Sequence, residues 1–282
     1  MVYFLSFFRY FFYIFYKLIR KDLYCHFDIK IIMMPINNFN KTKIKIYSTN
    51  KGIKVVDSPI KIQILNILEG QVSEADIVKH VGKSKSTISV HLKNLIEEGI
   101  ISFKSHPLDR RSKLFYIVAE YIGEIYPNQI IYQMPEINSP LSDKEKLFTE
   151  VFRQYKSILL MHGLQLEPLE VKAGVKIGKS LYSTLSFQNF DELIKAIVDK
   201  FEQLGMGHIK VSSDNPLILK NKSCCECEDM QYNLPICNIT KGILKAIFEE
   251  YYEMEVSIEE VECISKYDDC CSYLIETKAN NS

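Results

Sequence analysis

Apolar residues recur at helical spacing three times between residues 58 and 98, and helix caps fill the breaks between the runs. Ser58-Pro59 predicts the first start, with Ser as cap and Pro in the first turn. Ile60, Ile62, Ile64, Leu65, Ile67 and Leu68 supply the buried face, and Gly70 ends the helix. Ser73 and Asp76 have capping-box spacing, with Asp in place of the usual Glu, ahead of a short helix carrying Ile77, Val78 and Val81. Gly82 makes the turn. A third helix is predicted over 84–98, with Ile88, Leu92, Leu95 and Ile96 on one face and Gly99 at the C-cap position. Lys and Ile alternate over 43–47, which predicts a short strand, and runs 100–104 and 113–118 read as two more. Between the last two lies the polar, basic loop 105–112. Helix, helix, turn, helix and hairpin make a winged helix-turn-helix.

Beyond it the pattern loosens and then tightens again. Residues 121–140 read as a connector rich in turn residues. Residues 142–164 are helical in pattern, with Leu147, Phe148, Val151, Phe152, Tyr155 and Leu159 or Leu160 along a stripe. That stripe fits a dimerisation helix, or one that packs on its own domain. From Glu167 the chain reads as one further α+β domain, punctuated by Gly174, Gly178, Gly205 and Gly207. The predicted fold class is α+β, in five parts: an apolar extension and linker (1–40), a winged helix-turn-helix (41–120), a connector with a dimerisation helix (121–165), a sensor domain (166–276) and a tail (277–282).

Charge sharpens this division. The net charge is zero. Residues 41–120 nonetheless hold 14 Lys and Arg against 8 Asp and Glu, while 224–282 hold 4 Lys against 13 acids. A basic half suits a polyanion such as nucleic acid; two solvated surfaces that merely differ are the plainer alternative. Cysteine is equally uneven: Cys25 stands alone, then none occurs before Cys224. Clustered thiols in a chain of this size favour metal binding or redox chemistry over a secreted disulfide scaffold. The extreme N-terminus, 1–19, is apolar but broken by Arg9 and Lys17. An anchor, an amphipathic extension and a segment preceding the true start at Met33 or Met34 are all compatible with it. The last is the preferred reading, so membrane association is not expected and the protein is expected in the cytoplasm.

Off its apolar stripe the third helix shows Lys83, Lys85, Ser86, Thr87, Ser89, His91 and Lys93. Hydroxyls bond base edges or phosphates, and cations neutralise phosphate, once such a helix lies in the major groove of double-stranded DNA. Arg110, Arg111 and Lys113 on the wing would reach the backbone or the minor groove. The stretch 58–118, with Ser89-x-His91-Leu92, Leu95 and Glu98-Gly99-Ile100-Ile101, resembles the ArsR-type winged helix of bacteria and archaea. Val90 departs from the polar residue common there. Relatives often sense metal through cysteines near this helix, but none lies between His26 and Ser223.

The second constellation is Cys237, Glu260, Cys263 and Cys271. Glu260 and Cys263 are three apart, so they share a face if that segment is helical. Three thiolates and a carboxylate, all supplied by protein, suit a closed structural zinc site. The run Pro235-Ile236-Cys237, Gly242-Ile243-Leu244, Glu260-x-x-Cys263, Asp268 and Cys271 is similar to the 4-vinyl-reductase domain. The resemblance implies that Cys237, Glu260, Cys263 and Cys271 are zinc ligands; Tyr267 stands where that family has glycine. Cys224, Cys225 and Cys227 in a polar loop, and Cys270, are set apart as redox candidates. The combination resembles redox-responsive regulators of methanogenic archaea, which implies control of DNA binding by thiol oxidation. There is no dinucleotide fingerprint or cofactor motif, so no enzymatic activity is expected. The expected function is a homodimeric DNA-binding regulator that senses thiol redox state or a small ligand. The alternatives are a sensor of an apolar molecule without redox control, and an accessory protein of tetrapyrrole reduction.

Overall fold

The computed structural model describes residues 43–68, 70–107, 112–127 and 144–277, all within one compact unit. The apolar N-terminal segment, the start sites at Met33 and Met34, and wing residues Arg110 and Arg111 lie outside the described residues.

The first half begins with hairpin β1 (Ile44–Thr49) and β2 (Gly52–Val56). Three helices follow, α1 (Pro59–Ile67), α2 (Glu74–Val81) and α3 (Lys85–Glu97), with the short strand β3 (Val72–Ser73) before α2. The wing hairpin is β4 (Ile101–Ser105) and β5 (Lys113–Ile117), and β3 pairs with β5. Ile62, Ile64, Leu65, Ile77, Ile88, Leu92, Leu95, Ile100, Ile101 and Phe115 form the core. These are the positions where the 3.6-residue period places apolar side chains on facing stripes. Ser73 and Ser84 cap α2 and α3 by accepting the Asp76 and Thr87 amides, whereas Ser58 makes no side-chain cap. Gly82 lies at φ 67°, a left-handed position where a side chain would be strained, and its amide reaches the Val78 carbonyl at 3.0 Å.

The supposed connector starts as a strand. β6 (Glu120–Ile125) pairs with β1, and on its other edge with β7 (Leu164–Gln165), in the order β2-β1-β6-β7. One sheet therefore joins the winged helix to the chain leading into the second half. Alternating polar and apolar residues in β6 hid this edge, because Gly123 and the turn residues nearby read as breakers. Lys172 on the following helix also bonds Glu120 at 2.6 Å.

The second half holds α4 (Lys144–Met161), α5 (Glu167–Tyr182), α6 (Phe190–Gln203) and α7 (Asn238–Tyr252). Its antiparallel sheet runs β10-β11-β9-β8, from β8 (His208–Asp214), β9 (Leu217–Lys222), β10 (Val256–Glu262) and β11 (Cys271–Thr277). Gly174 and Gly178 do not punctuate the chain. They lie inside α5, where their missing side chains let α7 approach backbone to backbone. A methyl on Gly174 would run into the Ile239 carbonyl oxygen and Gly242. Gly174→Ala is expected to destabilise this half by about 1–3 kcal/mol through overpacking, read by denaturant unfolding. A change within the measurement error would mean the helices part without cost.

Candidate functional site: a cysteine cluster and a DNA-reading face

Two sites emerge, one in each half. On α3 the stripe Ile88, Leu92 and Leu95 is buried and the opposite side is exposed. Lys83, Lys85, Ser86, Ser89, Val90 and Lys93 face solvent, while Thr87 and His91 are half-buried. The hydroxyls are less available than their types suggest. The Ser84 oxygen lies 2.8 Å from the Thr87 hydroxyl and 2.9 Å from the Ser86 hydroxyl. Ser89 donates to the Glu74 carboxylate on α2, a partner that the stripe pattern did not reveal. Lys93 sits 3.8 Å from Glu97, one turn on. The clear cations are Lys83 and Lys85 at the start of the helix. On the wing, Lys113 holds its ammonium 4.1 Å from the Phe103 ring centre, and Lys104 is exposed.

The second site is buried. Cys237 caps the N-terminus of α7, Cys271 opens β11, and Cys263 follows β10. Glu260 is on β10, so its proximity to Cys263 comes from strand geometry and not from a helix face. The β10–β11 register shifts between Glu260 and Glu262, and the chain then turns through Ile264–Lys266. That bulge lets two residues three apart address one point. Tyr267 takes φ 70°, a left-handed position that favours glycine, so the turn survives the substitution at a cost of about 1–2 kcal/mol. Asp268 accepts the Cys263 amide at 2.8 Å and holds the turn closed.

Cys237, Glu260, Cys263 and Cys271 bring one donor atom each within 4.8 Å of one another. So do Cys224, Cys227, Cys237 and Cys271, although the first two were assigned to a polar loop. Cys224 and Cys227 are fully buried because Glu226 between them turns inward. Glu226 accepts the Thr240 amide at 2.6 Å and the Ile239 amide at 3.1 Å, closing the N-terminus of α7. Their Cys-x-x-Cys spacing was the available signal. Cys225 and Cys270 lie apart: Cys225 is half-buried with its carbonyl bonded to Arg153 at 2.9 Å, and Cys270 faces the other side of β11 from Cys271, near Glu262.

The sulfur separations are 3.6 Å for Cys237–Cys271, 3.7 Å for Cys237–Cys263, 3.9 Å for Cys263–Cys271, 3.5 Å for Cys224–Cys237 and 3.2 Å for Cys227–Cys271. A tetrahedral ion with bonds near 2.3 Å has sulfur edges of about 3.8 Å. The Glu260 Oε2 accepts the Cys237 amide at 3.1 Å, while Oε1 is buried with no hydrogen-bond partner. The fully buried Tyr273 hydroxyl also lacks one. Burial, reinforced by the Cys263 sulfur, pushes Glu260 up to about 9, and burial pushes the Cys237 thiol up as well. An unfilled acceptor among soft donors is what a cation would satisfy, so this donor set fits a metal ion.

Beside the cluster lies a buried charge network. Lys156 of α4 is 3.2 Å from both Glu170 and Glu226, and it also bonds the Ile236 carbonyl next to Cys237. Burial opposes its charge, but the two carboxylates outweigh this and hold its pKa above the ordinary value. The buried side of α4 is therefore Lys156, Ser157 and Leu160, while Leu147, Val151 and Ile158 are exposed. Among the described residues, no helix is long and apolar enough to cross a membrane.

Residues 58–102 match the bacterial regulatory protein, arsR family, and residues 217–277 match the vinyl-4-reductase domain. Two uncharacterized proteins of Methanocaldococcus jannaschii are similar. One is 28% identical over 123 residues, covering 43% of this chain and 66% of its own length. The other is 25% identical over 104 residues, covering 36% and 62%. The chain thus spans just under two thirds of each relative. Solved structures with partial likeness include a vinyl-4-reductase family protein from Methanocaldococcus jannaschii (19% identity, 50% of this chain, 85% of that chain, TM-score 0.35). Another is the phenol-responsive sensory domain of the transcription activator PoxR with phenol (13% identity, 53% and 85%, TM-score 0.39). Scores this low carry no argument about function.

Proposed function

We propose that this chain, an ArsR-family helix-turn-helix joined to a C-terminal vinyl-4-reductase domain, is a DNA-binding transcription regulator. It works as a homodimer in the cytoplasm, holds zinc in its cysteine cluster, and reads thiol redox state or a small ligand there. It is not an enzyme. The observation that carries the reading is the exposed face of α3, led by Lys83 and Lys85, within the residues that match the ArsR family. The apolar side chains Leu147, Val151 and Ile158, exposed on α4, support dimerisation through that helix.

Signal transfer follows from the chain's own connections. Cys224 and Cys227 share a loop with Glu226, Glu226 is held by Lys156 on α4, and α4 runs into β7, which pairs with β6 of the winged-helix half. Oxidising the cluster thiols, or binding a ligand beside them, moves the Glu226 loop and so shifts α4 and the spacing of the two reading helices. Such control requires the two states to bind DNA with different affinity.

Titrating a fluorescent duplex with the protein at several salt concentrations tests the reading face. Affinity is expected to fall steeply as salt rises. Lys85→Ala should weaken binding to all sequences alike and lower the log–log salt slope by about 1 per protomer. No binding to any duplex would overturn the regulator reading, and an unchanged slope would remove Lys85 from the contact surface.

A further inference from the structure

The cluster holds more donors than one tetrahedral ion can use. Five sulfurs and the Glu260 carboxylate form two four-donor sets, and the sets share Cys237 and Cys271. We infer that the cluster is a two-metal centre: two zinc-class ions bridged by the Cys237 and Cys271 thiolates, one completed by Cys224 and Cys227, the other by Glu260 and Cys263. This rests on the metal-binding half of the proposed function and goes beyond it in ion count and in the roles of Cys224 and Cys227.

The geometry has the form the inference needs. Two tetrahedra that share an edge need two common sulfurs at about 3.8 Å, with a further pair of donors on each side. Cys237 and Cys271 stand 3.6 Å apart. The remaining donors divide by origin: Cys224 and Cys227 come from the loop after β9, Glu260 and Cys263 from the end of β10. A single ion satisfies only one side. Seated with Cys224 and Cys227, it leaves the buried Glu260 Oε1 without a partner. Seated with Glu260 and Cys263, it leaves two fully buried thiols beside the bridging sulfurs. Two ions satisfy all six donors, as buried polar groups require.

Charge is consistent with this count. Loading releases the thiol and carboxyl protons to solvent, leaving two dications among six anionic ligands. The residual negative charge lies at the N-terminus of α7, the positive end of its dipole, and beside the Lys156 ammonium. Each bridging sulfur serves both ions, so disturbing either side alters the other.

Native mass spectrometry of the full chain, purified under reducing conditions and reconstituted with zinc alone, reads the stoichiometry. Two zinc ions per chain are expected, falling to one in Cys224→Ser/Cys227→Ser and to one in Glu260→Gln/Cys263→Ser. Loading with cadmium-113 should give two NMR resonances in the wild-type chain and one in each double variant. One ion in the wild type, or two that survive both double substitutions, overturns the two-metal centre. A chain that takes up no zinc overturns the metal reading itself, while DNA binding is measured separately and stands or falls on its own.

Discussion

Replacing Lys156 with alanine is expected to destabilise the C-terminal half by about 3–5 kcal/mol, because it leaves two buried carboxylates without their cation. Lys156 is buried at 2% exposure and lies 3.2 Å from both Glu170 and Glu226. Glu226 is held in place by the Thr240 and Ile239 amides, so it cannot swing to solvent when the lysine is lost. Burial already raises its pKa, and the lysine opposes that rise. Without Lys156 the carboxylate takes up a proton or the loop opens, and either event disturbs Cys224 and Cys227 on its two sides. Denaturant unfolding of wild type, Lys156→Ala and Lys156→Ala/Glu226→Gln checks this. The double variant should recover part of the loss, because the buried charge is gone. A single-variant loss below about 1 kcal/mol, the range of exposed pairs, would show that the pair is solvated.

Cys237→Ala should have the second large effect. Cys237 belongs to both four-donor sets and caps α7. No arrangement of the remaining donors restores either set, so bound zinc is expected to fall to background. The half should also lose its cooperative transition, since metal-binding energy in closed thiolate sites is folding energy, about 10–16 kcal/mol in the small zinc domains. Cys225→Ser is the control: Cys225 lies outside the cluster and should leave metal content unchanged. Zinc content by inductively coupled plasma spectrometry and near-UV circular dichroism read both effects. Full zinc retention in Cys237→Ala would refute the ligand set.

The helix-turn-helix could be read from the chain because its information is local. Ile88, Leu92 and Leu95 share one face of one helix, and Ser73, Ser84, Gly82 and Gly99 mark the ends within a residue or two. The second half depends on contacts between distant segments, and there the pattern failed. Glu260 and Cys263 are three apart, which suits a helix; only the bulged pairing of β10 with β11 shows that a strand brings them together. Lys156 sits in an amphipathic stripe, where a lysine reads as solvated. Its acidic partners are 14 and 70 residues away in sequence, beyond any periodicity. Cys224 and Cys227 were misplaced for a similar reason: the polar residues around them suggested a surface loop, but Glu226 turns in to cap a helix. Ser86, Thr87 and Ser89 have the residue types of a DNA-reading face, yet their intramolecular partners appear only when α2 and the turn are in place. Glycines behaved likewise, since Gly174 and Gly178 signal breaks in a sequence but here permit helix contact.

The regulator reading requires that the cysteine cluster and the reading helix be linked. Fluorescence anisotropy of one labelled duplex, measured with the zinc-loaded reduced protein and with the same protein after thiol oxidation and zinc release, tests that link directly. The expected result is a dissociation constant that differs at least about fivefold between the two states at equal salt, the lower end of typical coupling energies. Equal affinity in both states, with the protein folded in each, would contradict it.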